Sequence, residues 1–205
     1  MPSAALSVER LDEVRDLQAR IRSMQSTKLD SKALDTSPTV AALLPGGSLK
    51  AGVAYTVEGS TSLAMALMAG PSAAGAWCGV VGVPTFGSEA AAAAGIDLER
   101  LALVPYPGDQ WLPVTAALAD VLTVVLVRPP LQPSDGTVAR LMGRLRERGA
   151  TLIVLGRWPG AEARLEVTRS EWSGLGAGHG YLRSRQLTVG VTSRTGRRDR
   201  ELVLP

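Results

Sequence analysis

Residues 52–69 read GVAYTVEGSTSLAMALMA. The first six of them, 52–57, predict a strand, and residues 61–69 predict a short helix. Only Glu58, Gly59 and Ser60 connect the two. A strand that passes through a tight turn into a helix is the unit from which parallel α/β sheets are built, so this stretch indicates the fold class.

The same alternation of apolar runs and helical patterns continues along the chain. Residues 121–127 (VLTVVLV) are continuously apolar, as expected of a central strand covered on both faces. The pattern predicts further strands at 76–83, 101–104 and 151–155. It predicts helices at 88–94 and 111–120, and a third from Ser134 or Asp135 to Arg148, where Gly149 ends it.

Beyond Pro159 the helical patterns stop. Residues 163–169 and 182–192 alternate apolar and polar side chains, and 201–204 predict a last short strand. Alternation is typical of half-buried, antiparallel strands. We therefore predict an α/β fold in which a mostly parallel sheet is flanked by helices and extended by antiparallel C-terminal strands.

Composition and charge set broad limits on function. The chain has 205 residues, of which 45% are hydrophobic, enough for one good core. Its formal net charge is +3, and Lys28, Lys32 and Lys50 are the only lysines. So strong a bias towards arginine, with abundant Ala and Gly, indicates a GC-rich bacterial genome. The mild positive charge is compatible with nucleic-acid binding but does not require it.

Several kinds of chemistry are excluded by residue counts. The single cysteine, Cys78, lies in an apolar run and is interpreted as a buried structural thiol. The single histidine, His179, lies in a Gly-rich turn, so an ordinary zinc site is excluded and a Ser-His-Asp triad lacks its sequence context. Charges throughout the first twenty residues argue against a signal peptide, and no run reaches the ~18–20 apolar residues of a membrane span. We expect a cytoplasmic protein.

Residues 3–26 predict an amphipathic helix, and the polar stretch 25–38 separates it from the rest of the chain. We accordingly divide the chain into residues 1–38, a helix with its linker, and residues 39–205, the core domain. The helix either packs back on the core or docks on another molecule. Its apolar stripe consists of Val8, Leu11, Val14, Leu17, Ile21 and Met24.

Three segments and their order resemble the bacterial recombinase RecA. Residues 46–52 (GGSLKAG) resemble the entry to the strand before its phosphate-binding loop, and 163–169 (ARLEVTR) and 187–194 (LTVGVTSR) resemble its late strands. The N-terminal helix is similar to the one that RecA lays on its neighbour in a filament. The resemblance implies a RecA-like fold, with self-association through that helix.

The departures from RecA concern its ATPase. A working phosphate loop reads G-x-x-x-x-G-K-S/T, because backbone N–H groups cradle the phosphates while the lysine reaches them. Here the residues are Glu58, Gly59, Ser60 and Thr61, which form a shorter loop without lysine and with an added negative charge. Where the family keeps a metal-binding carboxylate and a nucleotide-sensing Gln, this chain has Arg128 and Arg157. We therefore predict that ATP is not bound.

This chain is a short, Arg- and Ala-rich sequence that resembles RecA but lacks a phosphate loop. In these features it resembles the actinobacterial ImuA′ proteins of the SOS mutagenesis cassette. That resemblance implies a non-catalytic adaptor in damage-induced translesion synthesis. Its partners would be ImuB, an inactive Y-family polymerase relative, and an associated error-prone polymerase. We accordingly expect no catalytic residue, no metal and no cofactor.

Three other functions stay open. A cell-division inhibitor of the same superfamily is the first, and the sequence does not exclude it. The second is direct DNA binding, since Arg pairs well with phosphate. The alternative interpretation of the C-terminal arginines is that residues 195–199 form a solvated hairpin tip that binds no DNA. The third is a divergent nucleotide hydrolase with Glu89 as its base, although Glu89 also suits the first turn of a helix. The candidate DNA-binding residues are Arg183, Arg185, Arg194, Arg197 and Arg198.

Trp158, Trp172 and Tyr181 lie in the loop-rich C-terminal third. Large aromatic side chains of this kind serve either as exposed anchors for a partner or as core residues. The sequence leaves these two interpretations open.

Overall fold

The structure is a computed structural model, and it describes residues 32–173 and 184–204. Its strands are β1 (Ala33–Leu34), β2 (Leu49–Lys50), β3 (Ala54–Glu58), β4 (Cys78–Val81), β5 (Leu101–Val104), β6 (Val124–Val127), β7 (Thr151–Leu155), β8 (Ala163–Ser173), β9 (Ser184–Ser193) and β10 (Gly196–Leu204). Its α-helices are α1 (Pro38–Ala41), α2 (Thr61–Ala73), α3 (Ser88–Ala93), α4 (Trp111–Ala119) and α5 (Asp135–Arg148).

Eight of these strands form one sheet, in the order β10-β9-β8-β3-β7-β6-β4-β5. Every neighbouring pair from β8 to β5 is parallel, whereas β9 and β10 run antiparallel beyond β8. The predicted α/β architecture is confirmed, including the antiparallel C-terminal extension of the same sheet. Strands β1 and β2 form a separate antiparallel pair, so Ala33–Leu34, in the segment predicted as a linker, is paired backbone.

The core is divided into two layers by the alternation of side chains along the strands. Tyr55 and Ile153 belong to one layer, together with Leu63 and Leu67 of α2. The neighbouring strand residues, such as Leu152, belong to the other layer, which α4 and α5 cover. Helices therefore lie on both faces of the parallel part of the sheet, as the continuously apolar strands predicted.

Helix α5 begins and ends where the sequence indicates. The Ser134 side chain accepts a hydrogen bond from the backbone N–H of Thr137 at 3.4 Å, so Ser134 and not Asp135 is the N-cap. Gly149 follows the last turn with φ of 71°, a left-handed conformation that glycine adopts without strain.

Several strand boundaries differ from the prediction, among them the starts of β6 and β10. The strand expected at 121–127 begins only at Val124, and Val121 is 76% exposed. The N–H groups of Val121 and Leu122 both donate to the carbonyl of Leu118, so these residues complete the last turn of α4 instead. Strand β10 begins at Gly196 rather than at residue 201, because residues 196–200 pair with β9 along their whole length.

Some predicted features lie outside the described residues. These are the N-terminal helix with its apolar stripe, and the positions of His179, Tyr181 and Arg183. Within the ranges that the structure describes, none of the helices combines the length and the apolar character that crossing a membrane requires.

Candidate functional site

The residues predicted to replace the nucleotide site come together at one end of the parallel strands. Glu58 ends β3, Arg128 directly follows β6, and Arg157 lies two residues beyond β7. Because β3, β7 and β6 are neighbours in the sheet, their carboxyl ends meet at one edge. Together with Gly59, Ser60 and Thr61 these residues line an open cleft of about 420 Å³, here called the α2 cleft.

The connection from β3 to α2 has only two residues, Gly59 and Ser60. Gly59 has φ of 84°, which turns the chain sharply into the helix. The Ser60 hydroxyl is buried and accepts a hydrogen bond from the Leu63 N–H at 3.1 Å, so it caps α2. The turn therefore holds its own helix end and forms no loop around a phosphate.

Glu58 is held by an ion pair that the sequence did not indicate. Its Oε2 accepts a hydrogen bond from Nη2 of Arg164 on β8 at 2.9 Å. Both side chains are partly buried, at 23% and 40% exposure. Glu58 is the one acidic residue among those that line the α2 cleft, against the two exposed arginines Arg128 and Arg157. The two guanidinium groups repel a divalent cation, and the carboxylate is already neutralised by Arg164.

The candidate DNA-binding arginines are dispersed rather than assembled. Arg185 lies near the start of β9, and Arg194 follows its end, about 30 Å away at the usual rise per strand residue. Arg197 contacts Glu166 and Asp199 on one face of the sheet, and Arg198, the next residue of β10, points to the other face. The predicted tip at 195–199 is corrected as well, since Arg197 and Arg198 lie within a paired strand.

A second surface feature was not predicted from the sequence. A largely apolar groove of about 620 Å³ runs between α1, α2, α3 and the end of β10, with Met65, Ala90 and Val203 in its wall. Trp172 lies at this groove, 55% exposed, and Arg185 stacks over its ring at 5.1 Å from the ring centre. The groove combines residues that are distant in sequence, so no local pattern signals it.

The remaining candidates occupy separate places. Cys78 is buried as predicted, and burial raises the pKa of its thiol to about 11 despite a hydrogen bond with Ser72. A thiol in that state is a poor nucleophile. Glu89 lies in the first turn of α3, on the surface, and outside the α2 cleft. Of the tryptophans, Trp172 is exposed and Trp158 is a core residue, 5% exposed.

Fold and site together define an α/β protein with charged side chains and a two-residue strand-to-helix turn at the carboxyl edge of its parallel strands. Residues 42–160 match the family described as MT3502 N-terminal domain, and the chain belongs to that family. It is 32% identical over 169 residues to the uncharacterized protein Rv3395c of Mycobacterium tuberculosis (strain ATCC 25618 / H37Rv). This match covers 80% of this chain and 82% of the relative.

A solved structure with similar architecture is that of a KaiC-like protein from the hyperthermophilic archaeon Pyrococcus horikoshii OT3. The TM-score is 0.48 at 14% sequence identity, and the match covers 85% of this chain and 100% of that chain.

Proposed function

We propose that this protein is a non-catalytic adaptor, a RecA-like scaffold that neither binds nor hydrolyses ATP and acts by binding other proteins. The observation that carries this proposal is the two-residue turn, Gly59 and Ser60, that leads from β3 into α2. The Glu58 carboxylate beside this turn is already paired with Arg164 and offers a phosphate no hydrogen-bond donor. The two-residue turn supplies no cradle of N–H groups, and the Ser60 hydroxyl is already engaged.

The other two parts of an ATPase, a metal-binding carboxylate and a nucleotide-sensing Gln, are replaced by arginines. Arg128 and Arg157 stand at the ends of β6 and β7, at the edge where a metal-binding carboxylate and a nucleotide sensor would act. Loss of all three parts, with a buried and well-packed sheet retained, supports a fold that is kept for its surface.

The cellular role in this proposal is support of damage-induced translesion synthesis. The resemblance to the ImuA′ proteins supports it, and a relative in Mycobacterium tuberculosis agrees with the actinobacterial setting of that resemblance. The partner is then an ImuB-like relative of the Y-family polymerases, together with the error-prone polymerase that accompanies it. Direct DNA binding is not proposed, because the described arginines of the C-terminal strands are dispersed over both faces.

The loss of nucleotide binding is tested by titrating the full chain with ATP and Mg²⁺ in a calorimeter. We expect no saturable heat. Saturable binding that is lost in a Thr61→Ala variant would overturn the proposal, because Thr61 is the first residue of α2 and lines the α2 cleft. Ser134→Ala, at the N-cap of α5, is the matched control for a change at a helix start.

Partner binding is tested by mixing the purified chain with the ImuB-like protein and measuring complex formation. In host cells, deletion of the gene is expected to lower the frequency of damage-induced mutations. A normal mutation frequency after deletion would contradict the cellular role while leaving the ATP result unaffected.

The N-terminal stripe allows a sharper experiment, since Leu17 lies on the predicted apolar face and Ala19 on the opposite one. If the stripe docks on the partner, Leu17→Glu weakens the complex and leaves the melting temperature unchanged. If it packs on the core of its own chain, Leu17→Glu lowers the melting temperature. Ala19→Glu, which adds the same charge to the polar face, is expected to change neither quantity.

A further inference from the structure

A second cleft, of about 390 Å³, adjoins the α2 cleft and is here called the Trp158 cleft. It lies where β3 and β8 meet the loop that follows β7. Its wall includes Thr56, Trp158 and Arg164, and it shares Glu58 and Arg157 with the α2 cleft. Its volume falls in the range of about 300–1,000 Å³ that is usual for small-ligand sites.

Some of the residues that line this cleft have buried polar atoms without partners. In residues 32–173 and 184–204, four buried side-chain nitrogen or oxygen atoms have no hydrogen-bond partner: Thr56 Oγ1, Glu58 Oε1, Trp158 Nε1 and Arg164 Nε. All four belong to residues that line the Trp158 cleft. Thr56 and Trp158 are only 2% and 5% exposed. Since buried polar groups in folded proteins are almost always hydrogen-bonded, this concentration indicates a missing partner at one place.

The arrangement follows from how the sheet is covered. Helices α4 and α5 cover β4, β6 and β7 on this face, but β8, β9 and β10 contribute no described residue to the core layer beneath those helices. Beyond Ala54, β3 continues on the same face with Thr56 and Glu58, and β8 places Arg164 beside them in register with Thr56. The face is therefore polar and open over β3 and β8, while the Trp158 side chain closes the cleft from the loop.

The free atoms form a specific pattern of donors and acceptors. Glu58 and Arg164 are joined through a single hydrogen bond, and the buried Glu58 Oε1 and Arg164 Nε–H have no partner. The Trp158 indole N–H is a second free donor. A group that satisfies them must donate one hydrogen bond to Glu58 and accept hydrogen bonds from Arg164 and Trp158.

We propose that the Trp158 cleft is a binding site for a neutral, planar amide group. An amide carries a donor N–H and an acceptor C=O on adjacent atoms, which is the pattern that Glu58, Arg164 and Trp158 require. A carboxylate would face the Glu58 oxygen without a donor, and an ammonium or guanidinium group would leave both free N–H donors unsatisfied beside two arginines. This inference goes beyond the proposed function, since neither the loss of ATP binding nor partner binding requires it.

Two sources carry this chemistry: a free small amide, and an Asn or Gln side chain on a polypeptide. The probe for the shared chemistry is acetamide, and its matched control is acetate, which has the same shape but no donor. Binding is followed through the indole N–H signals of the ¹⁵N-labelled full chain, in which the signal of Trp158 is the one that Trp158→Phe removes. We expect acetamide to shift this signal along a saturable curve and acetate to leave it in place.

Variants then test the roles of single atoms. Trp158→Phe removes one donor but keeps a buried ring, and is expected to weaken acetamide binding several-fold in ligand-observed saturation transfer. Trp172→Phe, outside this cleft, is the matched control and should leave binding unchanged. Glu58→Gln supplies a donor in place of the charge, so the affinity for acetate relative to acetamide should rise by about tenfold.

The two sources are separated by comparing free glutamine with a capped Ala-Gln-Ala peptide and its Ala-Ala-Ala counterpart. Binding of glutamine alone indicates a small-molecule site, and binding of the Gln peptide alone indicates a polypeptide site. The proposal is overturned if acetamide gives no saturable shift, which would leave a cleft filled only by water. It is equally overturned if acetate shifts the Trp158 signal as acetamide does, or if Trp158→Phe binds acetamide with unchanged affinity.

Discussion

Glu58 Oε2 accepts a hydrogen bond from Arg164 Nη2 across the junction of β3 and β8, at 2.9 Å. The register partner of Arg164 is Thr56, so Glu58 reaches it diagonally, two residues further along β3. This pair lies between the α2 cleft and the Trp158 cleft, and Glu58 lines both. The contact leaves two buried atoms, Glu58 Oε1 and Arg164 Nε, without hydrogen-bond partners.

Breaking this pair is expected to lower the free energy of unfolding by about 1–2 kcal/mol in Glu58→Ala, between the values typical of exposed and of buried pairs. Urea denaturation measures the change. The matched control is Glu171→Ala, which breaks the more exposed pair with Arg169 and should cost less than about 0.5 kcal/mol. If the two substitutions cost the same, the Glu58–Arg164 pair is no more than a surface contact.

The cap of α2 predicts a second stability effect. Ser60 is buried and its hydroxyl lies 3.1 Å from the Leu63 N–H, whereas Ser134, the cap of α5, makes an exposed contact of 3.4 Å. We expect Ser60→Ala to cost about 1–2 kcal/mol and Ser134→Ala about 0.5 kcal/mol, because a buried N–H that loses its acceptor cannot turn to water. Thermal unfolding that gives the opposite order would show that the α2 cap is not held by Ser60.

The fold could be predicted in most of its parts because its signals are local. The strands Leu101–Val104 and Thr151–Leu155 have the predicted bounds, since turns or helix ends flank an apolar run on both sides. The prediction of residues 121–123 as strand was wrong, because an apolar run does not distinguish a strand from the end of a helix. Residues 196–200 carry no apolar pattern and become strand only through backbone pairing with β9.

The same division applies to the site. Glu58, Arg128 and Arg157 could be placed together because the carboxyl ends of parallel strands meet at one edge. The contribution of Arg164 depends on β8 lying next to β3, a strand order that no local pattern contains. The burial of Trp158 likewise depends on how its loop packs against α5 and β7.

Gly70 predicts a steric effect that its own helix does not reveal. A Cβ atom there would lie 2.7 Å from the Asp35 carbonyl oxygen and 2.8 Å from the Ser37 nitrogen, both backbone atoms that cannot rotate away. Gly70→Ala is therefore expected to destabilise the fold by about 1–3 kcal/mol, although alanine favours helix.

The matched control for this change is Gly143→Ala in α5, where a Cβ meets nothing within 4 Å. It should stabilise the protein by about 0.5–1 kcal/mol through helix propensity alone. A melting temperature that rises in Gly70→Ala, as it should in Gly143→Ala, would mean that the segment before α1 does not pack on Gly70 as the structure describes.

Cys78 and Tyr55 predict a loss of stability at alkaline pH. Burial is the main cause that raises the pKa of Cys78 from 9.0 to about 11 and the pKa of Tyr55 from 10.0 to about 12. For Tyr55, the hydrogen bond with the Lys50 backbone lowers the pKa, and the negative charge of Glu162 raises it further. Both groups keep their protons longer in the folded state. Their contribution is complete below the unfolded pKa and is lost as pH rises towards the folded one.

Between pH 9 and 10 the unfolded chain releases the Cys78 proton before that of Tyr55. In this window Cys78 therefore contributes most of the difference in bound protons between the folded and the unfolded state. The free energy of unfolding should fall in this window with a slope of at most about 1.4 kcal/mol per pH unit. In Cys78→Ala the free energy of unfolding should decline less steeply with pH, even if the lost packing lowers its value at pH 7. In Tyr55→Phe the decline should become less steep only above pH 10. Urea titrations across this range measure the slopes, and an unchanged slope in Cys78→Ala would show that the thiol is not buried from water in the folded protein.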